Sequence, residues 1–558
     1  MNENHFDVII IGSGAGGLAA AICLAREGKK VIVIEQHDVP GGWCHSFYLK
    51  GHRFTPGVHY IGQLDKGQST SLLYEGLGIA NDLTFFRMNK EAYEHCWIGD
   101  TRFDYPANVD LLIDRLAERF PKERKNISNY LKLVRNVSTQ IQLIPKIKGL
   151  WQNITIPFRT KHMGKYALFS LKRVINWHIK DLELKKILNI QFGDHGLAPA
   201  KASFPLHCAV MDHYFNGGFY PMGGGGAIIK AMTNRIKLYG GVVKTSAKVS
   251  KILIEGSKKK TAIGVQLANG EQIFAKQIIS NADPEITYSR LVGNENLSKG
   301  LQQKLIRTKY SCTSLMLFLT VDMDVRESGL DSGNIWLMDE GDMDSLFEKM
   351  QRSDITSGKT FEGMFISCTT LKDPASFDGR HHTLEVITYI DYSAFEKFEN
   401  ENSQRSQAYI DFKENLTQKM LNTLEKVIPN VRNHIVNQEL GTPITNEYYI
   451  NATRGSVYGT EKSLGQIGPF AFKPKSEIKN LFLCGASISS HGIAGASYSG
   501  VQTAGIILNK RQDDLIQADP LQNVNLFDAE DPTEYPDWLK NKIKVRQDRL
   551  ASKPSVTK

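Results

Sequence analysis

Cysteine is scarce in this chain of 558 residues and poorly placed for any framework. The seven cysteines, at positions 23, 44, 96, 208, 312, 368 and 484, are odd in number and form no Cys-x-x-Cys pair. That excludes a disulfide scaffold, a zinc ribbon and a dithiol redox centre, and it suits a reducing compartment. Long hydrophobic runs are missing as well. No window approaches the roughly 20 apolar residues of a membrane-spanning helix. The N-terminus lacks a basic region followed by an apolar core and a small-residue cleavage site. The expected location is therefore cytoplasmic. Neither His-Glu-x-x-His nor Gly-x-Ser-x-Gly occurs, so neither a metal site nor a hydrolytic one is expected. Internal repeats and low-complexity tracts are also absent. With 41% hydrophobic and 23% charged residues, the chain is globular and long enough for two or more domains.

Acidic residues are fewer than basic ones, giving a net charge of +9, and the imbalance is local. Between Lys146 and Lys186, ten Lys or Arg stand against Asp181 and Glu183 alone. They are interleaved with Trp151, Phe158, Met163, Tyr166, Phe169 and Trp177. Base mixed with large apolar residues describes a surface for an anionic membrane, so a peripheral membrane surface is an expected partner. The other reading is a solvated helical insertion whose apolar face packs on its own domain. No nucleic-acid module accompanies the charge, and nucleic acid is not expected.

What the chain does have begins at once. Asp7 to Ile11 reads as a buried strand, followed directly by Gly12-Ser13-Gly14-Ala15-Gly16-Gly17. An apolar helical stretch runs from Leu18 to Arg26, and a second strand from Lys30 to Ile34 ends at Glu35. This is the dinucleotide-binding fingerprint in its full context. Gly12 serves the tight turn, Gly14 the approach to a pyrophosphate and Gly17 the packing of helix on strand. The helix N-terminus meets the phosphates, and Glu35 accepts from ribose hydroxyls. An acid at that position argues against a 2′-phosphate, which leaves FAD or NAD.

Two further elements select FAD. Pro40-Gly41-Gly42-Trp43 places a second glycine turn beside the cofactor. Far along the chain, Asn480 to Cys484 reads as a strand running into Gly485-Ala486, then Gly492-Ile493-Ala494-Gly495-Ala496 and a helix to Leu508. That second helix N-terminus stabilises negative charge on a reduced flavin. The strand around Val249 is expected to hold the adenine. No second strand-linked Gly-x-Gly-x-x-Gly follows, so a built-in nicotinamide partner is not expected and the electron donor is external. Gly223 to Gly226 lacks that spacing and is expected to let backbone pass close to FAD.

The expected class is α/β (α+β overall), with a discontinuous Rossmann-type FAD-binding domain and an inserted substrate-binding domain. FAD-binding pieces are expected at 1–110, 206–300 and 441–512. A basic helical insertion is expected at 111–205 and a substrate-binding region at 301–440. In the middle piece, short β-rich runs around Asn269-Gly270 describe a meander. The polar tail 513–558 reads as a poorly ordered terminus, with Trp538 able to anchor a short helix.

These blocks occur together with Gly57-Val58-His59-Tyr60-Ile61-Gly62, Gly217 to Gly224, Ser280-Asn281-Ala282 and Arg454-Gly455-Ser456-Val457-Tyr458-Gly459. In that order they resemble the FAD enzymes of the phytoene desaturase, carotenoid isomerase and retinol saturase superfamily, its retinol saturase branch most of all. The resemblance spans about residues 5 to 510. It implies an FAD-binding domain of the glutathione-reductase or amine-oxidase type, FAD, and a long apolar conjugated polyene (a retinoid or carotenoid) as substrate. Saturation of a carbon–carbon double bond is the activity expected, with isomerisation or desaturation as alternatives. Saturation needs a proton beside the hydride, and the candidate donors are His59, Tyr60, Tyr220 and Tyr458. His59 lies in a glycine-flanked loop, and an imidazole is a suitable donor near neutral pH, although a structural histidine is the competing reading. Tyr60 and Tyr220 are expected to line the polyene channel. Arg454 either balances charge near the reduced flavin or pairs with an acid.

Overall fold

The strand β1 (His5–Ile11) is paired in parallel on both sides, with β2 (Val31–Ile34) and with the strand Gln272–Ser280. These relations come from a computed structural model that describes residues 5–143, 158–399 and 405–551. The strands Val242–Lys244 and Leu481–Leu483 extend the parallel set. The meander expected around Asn269-Gly270 forms: Val249–Glu255, Thr261–Leu267 and Gln272–Ser280 pair antiparallel in sequence. The last of these divides its outer edge, its first residues pairing with the meander and its last three with Leu481–Leu483. Helix α1 (Ala15–Arg26) is buried from Ala15 to Ala25. A helix apolar all round must be enclosed; here the Gly500-bearing helix Gly492–Leu508 packs against it. Small residues allow this. A Cβ added at Gly500 would run into the carbonyl of Gly16.

A second seven-stranded sheet builds the other half. Its order is Ile435–Gly441, Thr313–Val321, His382–Ile390, Gly363–Cys368, Asn334–Met338, Glu94–Ile98 and Thr101–Tyr105. The last two strands fall within 1–110, and their hairpin joins this second sheet. Side chains alternate between faces. Met316, Trp336, Phe365, Ile387 and Tyr389 share one face with the first core, whereas Leu315, Leu317, Ile335, Ile366 and Val386 share the other. Both faces are covered, which explains strands such as His382–Ile390 that are buried throughout.

The polar tail departs from expectation. Asn525–Asp528 adds a parallel strand to Thr84–Arg87, and Asp537–Ala551 forms a helix. Leu539 and Tyr535, rather than the half-exposed Trp538, anchor it against Phe86. Helices fill the described part of 111–205, among them Arg124–Leu143, Leu171–His178 and Leu182–Leu188. Lys146, Lys148 and Trp151 of the basic segment lie outside the described residues. No helix among the described residues is long and apolar enough to cross a membrane.

Candidate active site

An open cleft lies where the two sheets meet.

One half of the cleft is lined largely by backbone. Gly12, Gly14, Ala15 and Gly16, Gly41, Gly42 and Trp43, Gly485 and Ala496 border it, with Glu35 and Val249. Gly14 and Gly16 are glycine because of Asn281. A Cβ on Gly14 would stand 2.6 Å from Asn281 Nδ2, and one on Gly16 would stand 2.7 Å from Asn281 Oδ1 and 2.8 Å from the Ala496 carbonyl. Asn281 thus wedges between the first glycine turn and Gly485, a role not visible from the glycine spacing. Neither α1 nor the helix Gly492–Leu508 has a side-chain cap or an acid in its first turn. Both N-termini therefore keep donors and positive dipole ends for an anion. Glu35, buried, accepts from the Ser13 amide at 2.9 Å, the Ser13 hydroxyl at 2.6 Å and the His37 amide at 2.9 Å. The Ser13 hydroxyl in turn accepts from the Gly41 amide at 2.9 Å and so joins the two glycine turns. A carboxylate has about four lone-pair positions, so Glu35 retains capacity for ribose hydroxyls.

The other half is made of side chains. Met316, Trp336, Phe365, Ile387 and Tyr389 descend from one sheet face, and His59, Tyr60, Asp194, Tyr458 and His491 complete the wall. Glu385 is an acid in the middle of a buried strand and needs donors. It takes the Thr55 amide at 2.6 Å and His59 Nδ1 at 2.9 Å. The fully buried Lys372 donates to the His59 carbonyl at 2.8 Å, to Ser367 Oγ at 2.7 Å and to Asn334. Its burial drags the ammonium pKa down to about 7. Tyr60 stacks on Tyr214 with ring centres 4.1 Å apart, and Tyr389 and Tyr458 meet through their hydroxyls at 3.2 Å.

Several expected residues stand elsewhere. Tyr220 is buried outside the cleft, its ring beneath Lys372 Nζ at 5.7 Å, because its strand Phe219–Pro221 pairs with Thr84–Arg87. Arg454 is half-exposed and pairs with Glu396 at 2.8 Å, the ion-pair reading of that residue. Gly495 packs on Ser490 rather than lining the cleft, and Gly17 packs on Ile10 and the Gly12 carbonyl as expected. Gly223 to Gly226 do not border the cleft. They let a helix N-terminus approach Cys44, Ser46 and Thr55. Glu385 and Glu94 carried a usable signal, since each is the lone acid of a strand rich in buried residues. Asp194 and His491 carried none.

The donor set fits FAD, and one orphaned atom supports the fit. His491 Nε2 donates to the Asp194 carbonyl at 2.6 Å, which leaves Nδ1 a buried acceptor without a partner on the cleft wall. Comparison with known proteins agrees. Residues 15–508 match the family described as flavin containing amine oxidoreductase. The all-trans-retinol 13,14-reductase of Danio rerio is 30% identical over 527 residues, covering 90% of this chain and 86% of that protein. Prolycopene isomerase 1 of an Oncidium hybrid cultivar is 26% identical over 520 residues, covering 90% and 83%. A putrescine oxidase structure superposes with a TM-score of 0.60 at 16% identity, covering 90% of this chain and 99% of that chain, and shows the shared fold. FAD is the cofactor.

Proposed function

The chain belongs to the flavin containing amine oxidoreductase family, in the branch with the retinol saturases and carotenoid isomerases; we propose that it reduces one double bond of a retinoid or carotenoid. The observation that carries this reading is the continuity of the cleft. The aromatic and aliphatic face Met316–Trp336–Phe365–Ile387–Tyr389 runs on from the glycine-lined half, so an apolar chain laid on it reaches the cofactor edge. Bound FAD supplies electrons as hydride. The protein does the rest. Gly12, Gly14, Gly16 and the N-terminus of α1 would hold the pyrophosphate, the N-terminus of the helix Gly492–Leu508 would face the flavin ring, Glu35 would hold the ribose and Val249 the adenine side. Trp336, Phe365 and Tyr389 position the polyene and exclude water. His59, fixed by Glu385 through its ring and by Lys372 through its carbonyl, closes the wall beside Tyr60. Electrons arrive from an external donor.

Incubation of the reduced enzyme with retinol, lycopene and other polyenes tests the reading through product mass. Gain of two hydrogens supports it, and retention of every double bond counts against it. The likeness to a prolycopene isomerase supports a second reading, cis–trans isomerisation. It predicts unchanged mass with a shifted absorption fine structure.

The same chain presents a surface for an anionic membrane. Phe158, Leu168, Trp177 and Leu182 are exposed among Arg159, Lys161, Lys165, Arg173 and Lys180. Other apolar side chains of the segment, such as Tyr166, Val174 and Ile175, pack inward. Capture by vesicles rich in anionic lipid that falls steeply with salt supports docking; salt-insensitive capture, or none, sinks it.

A further inference from the structure

Two carboxyl groups, one in the cleft wall and one behind it, have no task in the reading above. Asp194 lies on the turn Ile190–His195 and borders the cleft. Glu94 lies behind it on the strand Glu94–Ile98, which is paired on both sides in the second sheet, and accepts from Gln191 Nε2 at 2.9 Å and Trp336 Nε1 at 3.0 Å. Tyr60 donates its hydroxyl to Asp194 Oδ2 at 2.6 Å. Among the described residues it is the only donor to that carboxyl, and Oδ1 is uncommitted. The groups around Asp194 are Tyr60, Tyr93 and Tyr214, Glu94, Tyr389 and Tyr458, and His491. None of them supplies a cation. Burial holds His491 neutral by lowering its pKa to about 4, and burial raises the tyrosines. A buried carboxylate without a partner charge costs several kcal/mol, so the group keeps its proton instead.

We propose that Asp194, tethered by Tyr60 and backed by Glu94, is the proton donor of this cleft. The proposal rests on the reductase reading. The polyene π bond breaks, one carbon takes hydride from the bound reduced cofactor, and its neighbour takes the proton from Asp194 Oδ1. Two C–H bonds form, and Asp194 is left as carboxylate and is reprotonated from water. The two electrons come from the external donor that reduces the cofactor. Burial first, and the neighbouring Glu94 second, push the Asp194 pKa well above the ordinary carboxylic range. A donor that still carries its proton at neutral pH is what general acid catalysis requires. His59 is less free for the task, since its Nδ1 is held by Glu385.

The test joins infrared difference spectroscopy to turnover. In the FAD-loaded protein at neutral pH, a protonated-carboxyl band is expected that shifts in heavy water and is lost in Asp194→Asn. With reduced enzyme and a polyene in heavy water, the wild-type product should gain solvent deuterium. Asp194→Asn should keep its flavin absorbance and saturate about 100-fold more slowly or worse. Tyr60→Phe, which removes one hydroxyl, should move the band and slow turnover several-fold, and it decides the matter should Asp194→Asn fail to hold flavin. A band that survives in Asp194→Asn, or saturation by that variant at close to the wild-type rate, overturns the proposal. Wild-type protein that saturates no polyene overturns the reductase reading and the donor role with it. In that case the band still reports, independently, whether Asp194 holds a proton.

Discussion

The dinucleotide half of the cleft is made of backbone, and the substrate half of side chains. In the first, Gly12 to Gly16, Gly41-Gly42 and Gly485 bring bare peptide and two helix N-termini to one place, and Glu35 is the one acid that matters. In the second, a single sheet face supplies Met316, Trp336, Phe365 and Tyr389, and loops from distant parts of the chain add His59, Asp194 and His491. The first plan tolerates no added volume. The second tolerates change in shape but not the loss of partners for its buried charges.

That contrast breaks first at Gly16. Gly16→Val should expel FAD altogether, because even its Cβ meets Asn281 and Ala496 inside contact distance; flavin absorbance per protein after purification reads the loss, and a full complement would contradict the backbone plan. Glu35→Gln should come next. It keeps the shape and removes the charge that Ser13 and His37 satisfy. Charged hydrogen bonds are each worth roughly 1.5–3 kcal/mol, so affinity for FAD should fall about 10- to 100-fold in a fluorescence titration. In the substrate half, Trp336→Phe deprives Glu94 of its indole donor. Unfolding free energy should drop by about 1–3 kcal/mol while flavin stays bound, as read by denaturant titration.

Acidity sharpens the same contrast. Asp194 keeps its proton in the fold at pH values where the unfolded chain has released it. The native state therefore binds more protons, and this group's contribution to stability declines as pH rises from the ordinary carboxylic range to its raised folded pKa. The melting temperature of Asp194→Asn should gain on that of the wild type across that interval, and parallel curves would refute the assignment. The smallest effect is expected at Arg454→Ala, which removes a half-exposed ion pair worth about 0–1 kcal/mol. Its turnover should match the wild type.

The backbone half was legible in the sequence because its physics is local. A strand, a glycine turn, a helix and an acid occur within thirty residues, although the demand that Asn281 makes on Gly14 and Gly16 comes from far along the chain. The meander around Asn269-Gly270 was legible for the same reason. The substrate half was legible only in part. His59, Tyr60 and Tyr458 were found through their blocks, but Tyr220 and Arg454 share such blocks and face elsewhere. A motif records that residues are neighbours along the chain, not which side of the strand each occupies. Asp194 and His491 meet through a contact spanning almost three hundred positions, and no spacing announces it. The C-terminal tail misled through composition. Its polar residues conceal Tyr535 and Leu539, two anchors that suffice to dock a helix on Phe86.

The close crossing of Gly16 and Gly500 has a consequence for synthesis. Pairing of β1 on its second side must wait for the strand Gln272–Ser280, and the crossing helix leaves the ribosome later still. A nascent chain holding the opening glycine turn still lacks the surface that encloses it, and its apolar helix stays uncovered while most of the polypeptide is made. Such long-range closure is slow and exposes sticky surface on the way. Cofactor capture is therefore a late step, performed by the finished chain, and flavin supply should govern how much newly made protein escapes aggregation.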